Sequence, residues 1–106
     1  MLNLPLYPSS ILLEYQECFD IIASKLDSDS VFSLGIKLKL PHREVNEICN
    51  RNITLYKKIF DILVSWREKF GLKADINQII TVLKNMQKKV IADQIEQKLD
   101  LLKNLS

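Results

Sequence analysis

Apolar residues recur along this chain at three- and four-residue spacings, with short polar intervals between the runs. That period belongs to amphipathic helices, and no stretch shows the two-residue alternation of a strand. The first run predicts a helix over residues 10–26, with Ile11, Tyr15, Cys18, Phe19, Ile22 and Leu26 on one face and Ser9 or Ser10 as its cap. A second helix over 30–39 turns Val31, Leu34 and Leu38 inward behind Ser28 or Asp29. Gly35 lies beside that face, where a missing side chain lets a neighbouring helix approach closely. The third helix starts at Pro41, whose absent N–H is not needed in a first turn, and buries Val45, Ile48 and Cys49.

The fourth helix, over 53–70, is the longest. Leu55 or Tyr56, Ile59, Leu63, Trp66 and Phe70 form its stripe, and Gly71 supplies a left-handed stop. The fifth opens at Asp75, with Gln78 three residues on in a capping-box arrangement, and continues through Ile76, Ile79, Ile80, Leu83 and Met86. The sixth covers 88–102 with Val90, Ile91, Ile95, Leu99 and Leu102 inward. Six helices joined by short loops make an all-α, six-helix antiparallel bundle. The expected organisation is an apolar leader or arm at 1–8, one bundle at 9–103 and a tail at 104–106.

At 106 residues, 47% of them hydrophobic, the chain suffices for one domain with a real core. No apolar run approaches the ~20 residues of a membrane helix. The start, interrupted by Pro5 and Pro8 and lacking a basic region, is a poor signal peptide. Cys18 and Cys49 read as free, partly buried thiols of an intracellular, cytoplasmic protein. The net charge of +2 is too small to argue for nucleic acid. It is unevenly spread: residues 1–52 hold five Lys/Arg and seven Asp/Glu, and residues 53–106 hold ten and six. Two halves of opposite sign suit attraction between copies or partners, or simply a solvated surface.

Chemistry-bearing residues are sparse. His42 is the only histidine and neighbours Pro41 at a helix start, so a zinc site with the two separated cysteines is not expected. There is no phosphate-binding glycine loop, and Glu44 and Glu47 lie one turn apart as a solvated pair. Neither catalytic nor cofactor-binding nor metal-binding residues are expected, which points to a non-enzymatic interaction domain.

An ordered set of motifs then resembles a known family. These are Leu34-Gly35-x-x-Leu38-x-Leu40, Val45-x-x-Ile48, Leu63-Val64-Ser65-Trp66-Arg67, Gly71-x-x-Ala74 and Ile79-x-x-x-Leu83. Together they resemble a death domain over about residues 13–99. The stretch Val90-Ile91-Ala92-Asp93 is similar to the opening of the last helix in death domains of the Fas-associated adaptor type. Two places depart from that pattern. Val31 stands where the family usually has tryptophan, and Phe32 and Ile36 align with basic residues that contact a receptor in the vertebrate adaptor.

The resemblance implies a Greek-key helical arrangement and an adaptor role in apoptosis or innate-immune signal transduction. It also implies binding to other death-domain proteins (receptor, adaptor or kinase), with homo-oligomers or a helical assembly as one outcome. Three asymmetric contacts are implied. One sets the second and third helices against the first and fourth of the next copy. Another sets the end of the fourth helix against the fifth–sixth junction, and the third sets the third helix against inter-helix loops. Candidate partner-binding residues follow: Phe32, Ile36, Lys37, Lys39, Arg43, Glu44 and Glu47 on the second and third helices; Glu14, Glu17 and Asp20 on the first; Arg67 and Lys69 at the end of the fourth; and Lys84, Lys88 and Lys89 at the fifth–sixth junction. Each charge also reads as ordinary solvated surface or a helix-dipole complement. Phe32 and Ile36 read either as exposed anchors or as residues covered by a neighbouring helix or by residues 1–8. The rival readings are a caspase-recruitment or death-effector domain, or a helical scaffold or nucleic-acid-binding domain. The Arg-x-Asp-Leu-Leu motif of the effector class is absent.

Overall fold

Thr54 and Asp75 each close a loop with a side-chain oxygen that the next helix requires. Thr54 Oγ1 accepts from the Lys57 N–H at 3.2 Å, and an Asp75 carboxylate oxygen accepts from the Asn77 N–H at 2.9 Å. These caps start two of six α-helices in a computed structural model that describes residues 9–52 and 54–104. The helices are α1 (Ser9–Lys25), α2 (Val31–Lys37), α3 (His42–Arg51), α4 (Leu55–Phe70), α5 (Ile76–Asn85) and α6 (Lys89–Asn104). Short 3-10 turns, Ser28–Ser30 and Gly71–Lys73, precede α2 and follow α4. No strand occurs among the described residues. Residues 1–8, the side chains of residues 9–12, Ile53 and residues 105–106 lie outside the description, and with them the expected leader, the first cap and the tail apart from Asn104, which ends α6.

α4 is the centre of the bundle, with α1, α2 and α3 all packed against it. α6 lies against α1 and α5, and α2 also touches α5. The apolar stripes meet in one core. Ile22, Leu34, Ile48, Ile59, Leu63, Trp66, Leu83 and Ile95 draw it from all six helices. Phe19 sits edge-on to Phe60 and to Trp66, with ring centroids 5.9 and 6.4 Å away. Val31 is buried, so the position where the family carries tryptophan remains a core position here.

Several expected boundaries and faces shift. α2 stops at Lys37 rather than Lys39, because Lys39 enters the left-handed region at φ 72°. The turn is a Schellman closure: the Leu40 N–H donates to the Gly35 carbonyl (3.1 Å) and the Lys39 N–H to the Ile36 carbonyl (2.9 Å). Neither Ser28 nor Asp29 caps α2. Instead Ser30 Oγ donates to both carboxylate oxygens of Asp27, at 2.9 and 3.0 Å, and ties down the 3-10 turn. Pro41 is the N-cap of α3, one residue before the expected position. The Asp75 cap is one-sided: Gln78 returns only its backbone N–H to the Asp75 carbonyl, at 2.9 Å. α4 begins after Thr54, leaving Leu55 and Tyr56 exposed at its first turn rather than inward. Val90 is also exposed, since Ile91, Ala92 and Ile95 set the buried phase of α6 and Val90 lies outside it.

Gly35 does what its position suggests. A Cβ there would stand 2.7 Å from Val45 Cγ2, so the absent side chain sets the α2–α3 approach. Gly71 takes φ 57°, ψ −129°, a conformation open to glycine, and turns the chain out of α4.

Candidate interaction surface

The α2–α3 corner gathers three of the cations that form no ion pair among the described residues, whereas Lys25, Lys58 and Lys73 lie singly on other elements. Lys37, Lys39 and Arg43 are exposed, and none of their side chains forms an ion pair or hydrogen bond among the described residues. Arg51, at the far end of α3, is likewise exposed and unpaired. Beside this corner Phe32 is 36% exposed, its ring edge-on to His42 at 5.3 Å. Ile36 is half-buried against the core, so of the two apolar positions Phe32 presents the greater surface. Glu44 pairs with Lys69 at 3.4 Å, joining α3 to the end of α4, while Glu47 stays exposed beside Arg43 and Arg51 along a shallow depression.

The acidic face expected on α1 is largely committed within the chain. Glu17 pairs with Lys98 of α6 at 3.2 Å. Asp20 accepts from the Tyr56 hydroxyl at 2.7 Å, a bond that raises the phenol's pKa. Only Glu14 remains unpaired, half-buried and turned into a groove between α1, α5 and α6.

At the end of α4 the expectation for Arg67 is corrected. Its guanidinium is buried, donates through Nη1 to the Gly71 carbonyl, and lies 4.5 Å from the Tyr15 ring centroid. The Tyr15 hydroxyl donates to the Ala74 carbonyl at 2.6 Å. Burial is the main cause raising the Tyr15 pKa, with the Arg67 charge working against it. Arg67 therefore fastens the turn after α4 onto α1 and does not face solvent. The reason is its helical phase, one residue after Trp66 and four after Leu63, which points it inward.

The α5–α6 junction is neutralised by its neighbours. Lys84 pairs with Glu96 (3.7 Å), Lys88 with Asp27 (2.7 Å) and Lys89 with Asp93 (3.0 Å). Bonds from Lys88 and then Ser30 hold the Asp27 carboxyl below its usual range. Exposed pairs of this kind are worth about 0–1 kcal/mol, so a partner's charge exchanges with them readily. What these junctions expose is apolar. Leu72, on the turn after α4, is 88% exposed, and Val90, at the start of α6, is 70% exposed. Sequence periodicity misses both: Leu72 lies in a turn with no helical phase, and Val90 stands next to a truly buried isoleucine.

Groups with chemical potential are placed for packing. Cys18 is fully buried and its thiol is pushed up to about 12, by burial first and then by Glu14 and Glu17, which keeps it protonated. Cys49 is half-buried, and the two cysteines are free. No cluster of three His, Cys, Asp or Glu suited to a metal occurs among the described residues. No helix among them is long and apolar enough to cross a membrane.

No curated protein matches the chain. A family model described as "Death domain" matches residues 16–99.

Proposed function

The chain belongs to the death-domain family of protein-interaction modules, and from that premise we propose that it is the recruiting domain of a cytoplasmic signalling adaptor. In this reading it binds other death domains by homotypic, asymmetric contacts and passes on an apoptotic or innate-immune signal in the manner of Fas-associated adaptors. The observation that carries the reading is the α2–α3 corner. Lys37, Lys39 and Arg43 stay exposed and unpaired there, while Lys69, Lys84, Lys88, Lys89 and Lys98 all pair within the chain. An unpaired cationic corner steers encounter and sets register with an acidic partner surface. Leu72 and Val90 add apolar contacts at the two elements that the family's second contact type joins, the end of α4 and the α5–α6 junction.

The test is binding of the immobilised chain to purified receptor-, adaptor- and kinase-type death domains, with duplex DNA and RNA as competitors. The reading expects at least one death domain to bind. It expects Lys39→Glu with Arg43→Glu to weaken that binding, and Leu72→Glu to weaken it independently. Retention of nucleic acid alone contradicts it.

A further inference from the structure

The end of α2 and the body of α5 flank a cleft of about 400 Å³, with Trp66 of α4 on its wall. Leu38, Trp66 and Val82 give it an apolar lining. Among the described residues, the only charged ones on it are Lys37 and Lys39, and no carboxylate lines it. That sets it apart from the depression along α3, where Glu47 accompanies Arg43 and Arg51. Lys39 is held on the rim by its turn, its N–H donating to the Ile36 carbonyl at 2.9 Å. The α5 side of the rim is neutral, and the Thr81 hydroxyl there already donates to the Asn77 carbonyl at 3.1 Å. Trp66 is only 2% exposed, yet its indole N–H donates to no acceptor among the described residues. A buried indole N–H ordinarily finds a partner, so the wall of this cleft holds an unused donor.

We propose that this cleft binds a small anionic amphiphile, a carboxylate carried on a short unbranched apolar body. The volume lies within the roughly 300–1,000 Å³ of small-molecule sites, and the lining follows their pattern of apolar walls with a few placed polar groups. The apolar body covers Leu38, Val82 and the indole, taking their surface out of water. The carboxylate has two oxygens to place. One meets the Lys37 and Lys39 ammoniums at the rim, and the other accepts from the Trp66 N–H. A neutral ligand leaves the ammoniums unanswered, and a cationic one meets two like charges with no carboxylate to offset them. A membrane surface fits less well, because Leu38 and Trp66 are each 2% exposed and recessed, and cannot enter a bilayer. The site belongs to this chain alone and does not depend on its reading as a homotypic module.

Trp66 is the only tryptophan, so the whole chain labelled with nitrogen-15 gives a single indole N–H resonance to follow. Sodium decanoate, kept below its micelle concentration, is expected to shift that resonance saturably. Decyltrimethylammonium, the same chain length with the opposite charge, is expected to leave it in place. Lys37→Gln with Lys39→Gln is expected to raise the Kd for decanoate about tenfold, with helicity and melting temperature reporting the fold. Should the double variant misfold, Lys37→Gln alone replaces it and is expected to weaken binding by a smaller factor. An indole resonance that decanoate does not move overturns the site. So does an equal response to the two amphiphiles, or undiminished affinity in the folded lysine variant. Binding to phosphatidylserine vesicles without any response to monomeric decanoate assigns the lysines to a membrane surface and overturns the cleft. None of these outcomes bears on binding to other death domains, which the immobilised-chain experiment decides separately.

Discussion

Lys39, Gly71 and Gln87 hold positive φ, and each ends a helix. At Gly71 no atom lies within 4 Å of the place a Cβ would occupy, so any penalty for a side chain there is purely backbone. Gly71→Ala is expected to lower the unfolding free energy by about 1–3 kcal/mol, read from urea denaturation. Gln87 occupies the same kind of position after α5, where the Lys88 N–H reaches the Leu83 carbonyl at 2.8 Å. Gln87→Gly is expected to do the opposite, raising stability by roughly 0.5–1 kcal/mol. Equal and unchanged midpoints for both would contradict the assigned backbone conformations. Gly71 is legible as a stop because glycine announces it. Lys39 and Gln87 are not, since lysine and glutamine are ordinary helix formers whose left-handed turn is imposed by where Leu40 and Lys88 must go. Arg67 misleads for a related reason: its charge suggests solvent, and its phase beside Trp66 decides otherwise.

Between elements, close approach and single polar links decide how the helices sit. Val45 is fully buried and β-branched, so it has little freedom to yield to a Cβ on Gly35. Overpacking of about 1–3 kcal/mol should outweigh the ~1 kcal/mol helix-propensity gain of Gly35→Ala. A double-mutant cycle with Val45→Ala is expected to show favourable coupling, and strict additivity would contradict direct contact. The tie between Asp27 and α6 makes a second test. The folded Asp27 pKa is depressed, so its contribution is present above the unfolded value and is lost as pH falls through the folded one. Lys88→Met is expected to raise the Asp27 midpoint toward the ordinary carboxylate range in an NMR titration, and an unmoved midpoint would contradict the pairing. The six helices and most of their inward residues follow from apolar spacing alone, because Leu34, Ile59 or Ile79 has one inward phase. Val90 and Leu55 depart from it because adjacent apolar residues leave the phase undetermined until neighbouring helices choose it.

Across the whole molecule, charge placement is what the sequence least reveals. Counting by halves puts the acid early and the base late, yet the exposed unpaired cations of the α2–α3 corner belong to the early half. Pairing across the fold removes Glu17, Asp20, Glu44 and Asp27 from the free surface, and pairing depends on which helices become neighbours. The candidate corner residues Lys37, Lys39 and Arg43 are legible because they cluster in sequence. The cleft that Lys37 and Lys39 share with Trp66 and Val82 is not, since three distant segments build it.

The measurement closest to the central claim is sedimentation velocity of the unmodified chain over rising concentration, at low and at high salt. Asymmetric contacts steered by charge predict a weight-average mass that keeps growing with concentration at low salt and falls back toward monomer at high salt. A mass that remains monomeric throughout, or that stops at a salt-insensitive dimer, would contradict assembly of the chain with itself through such contacts.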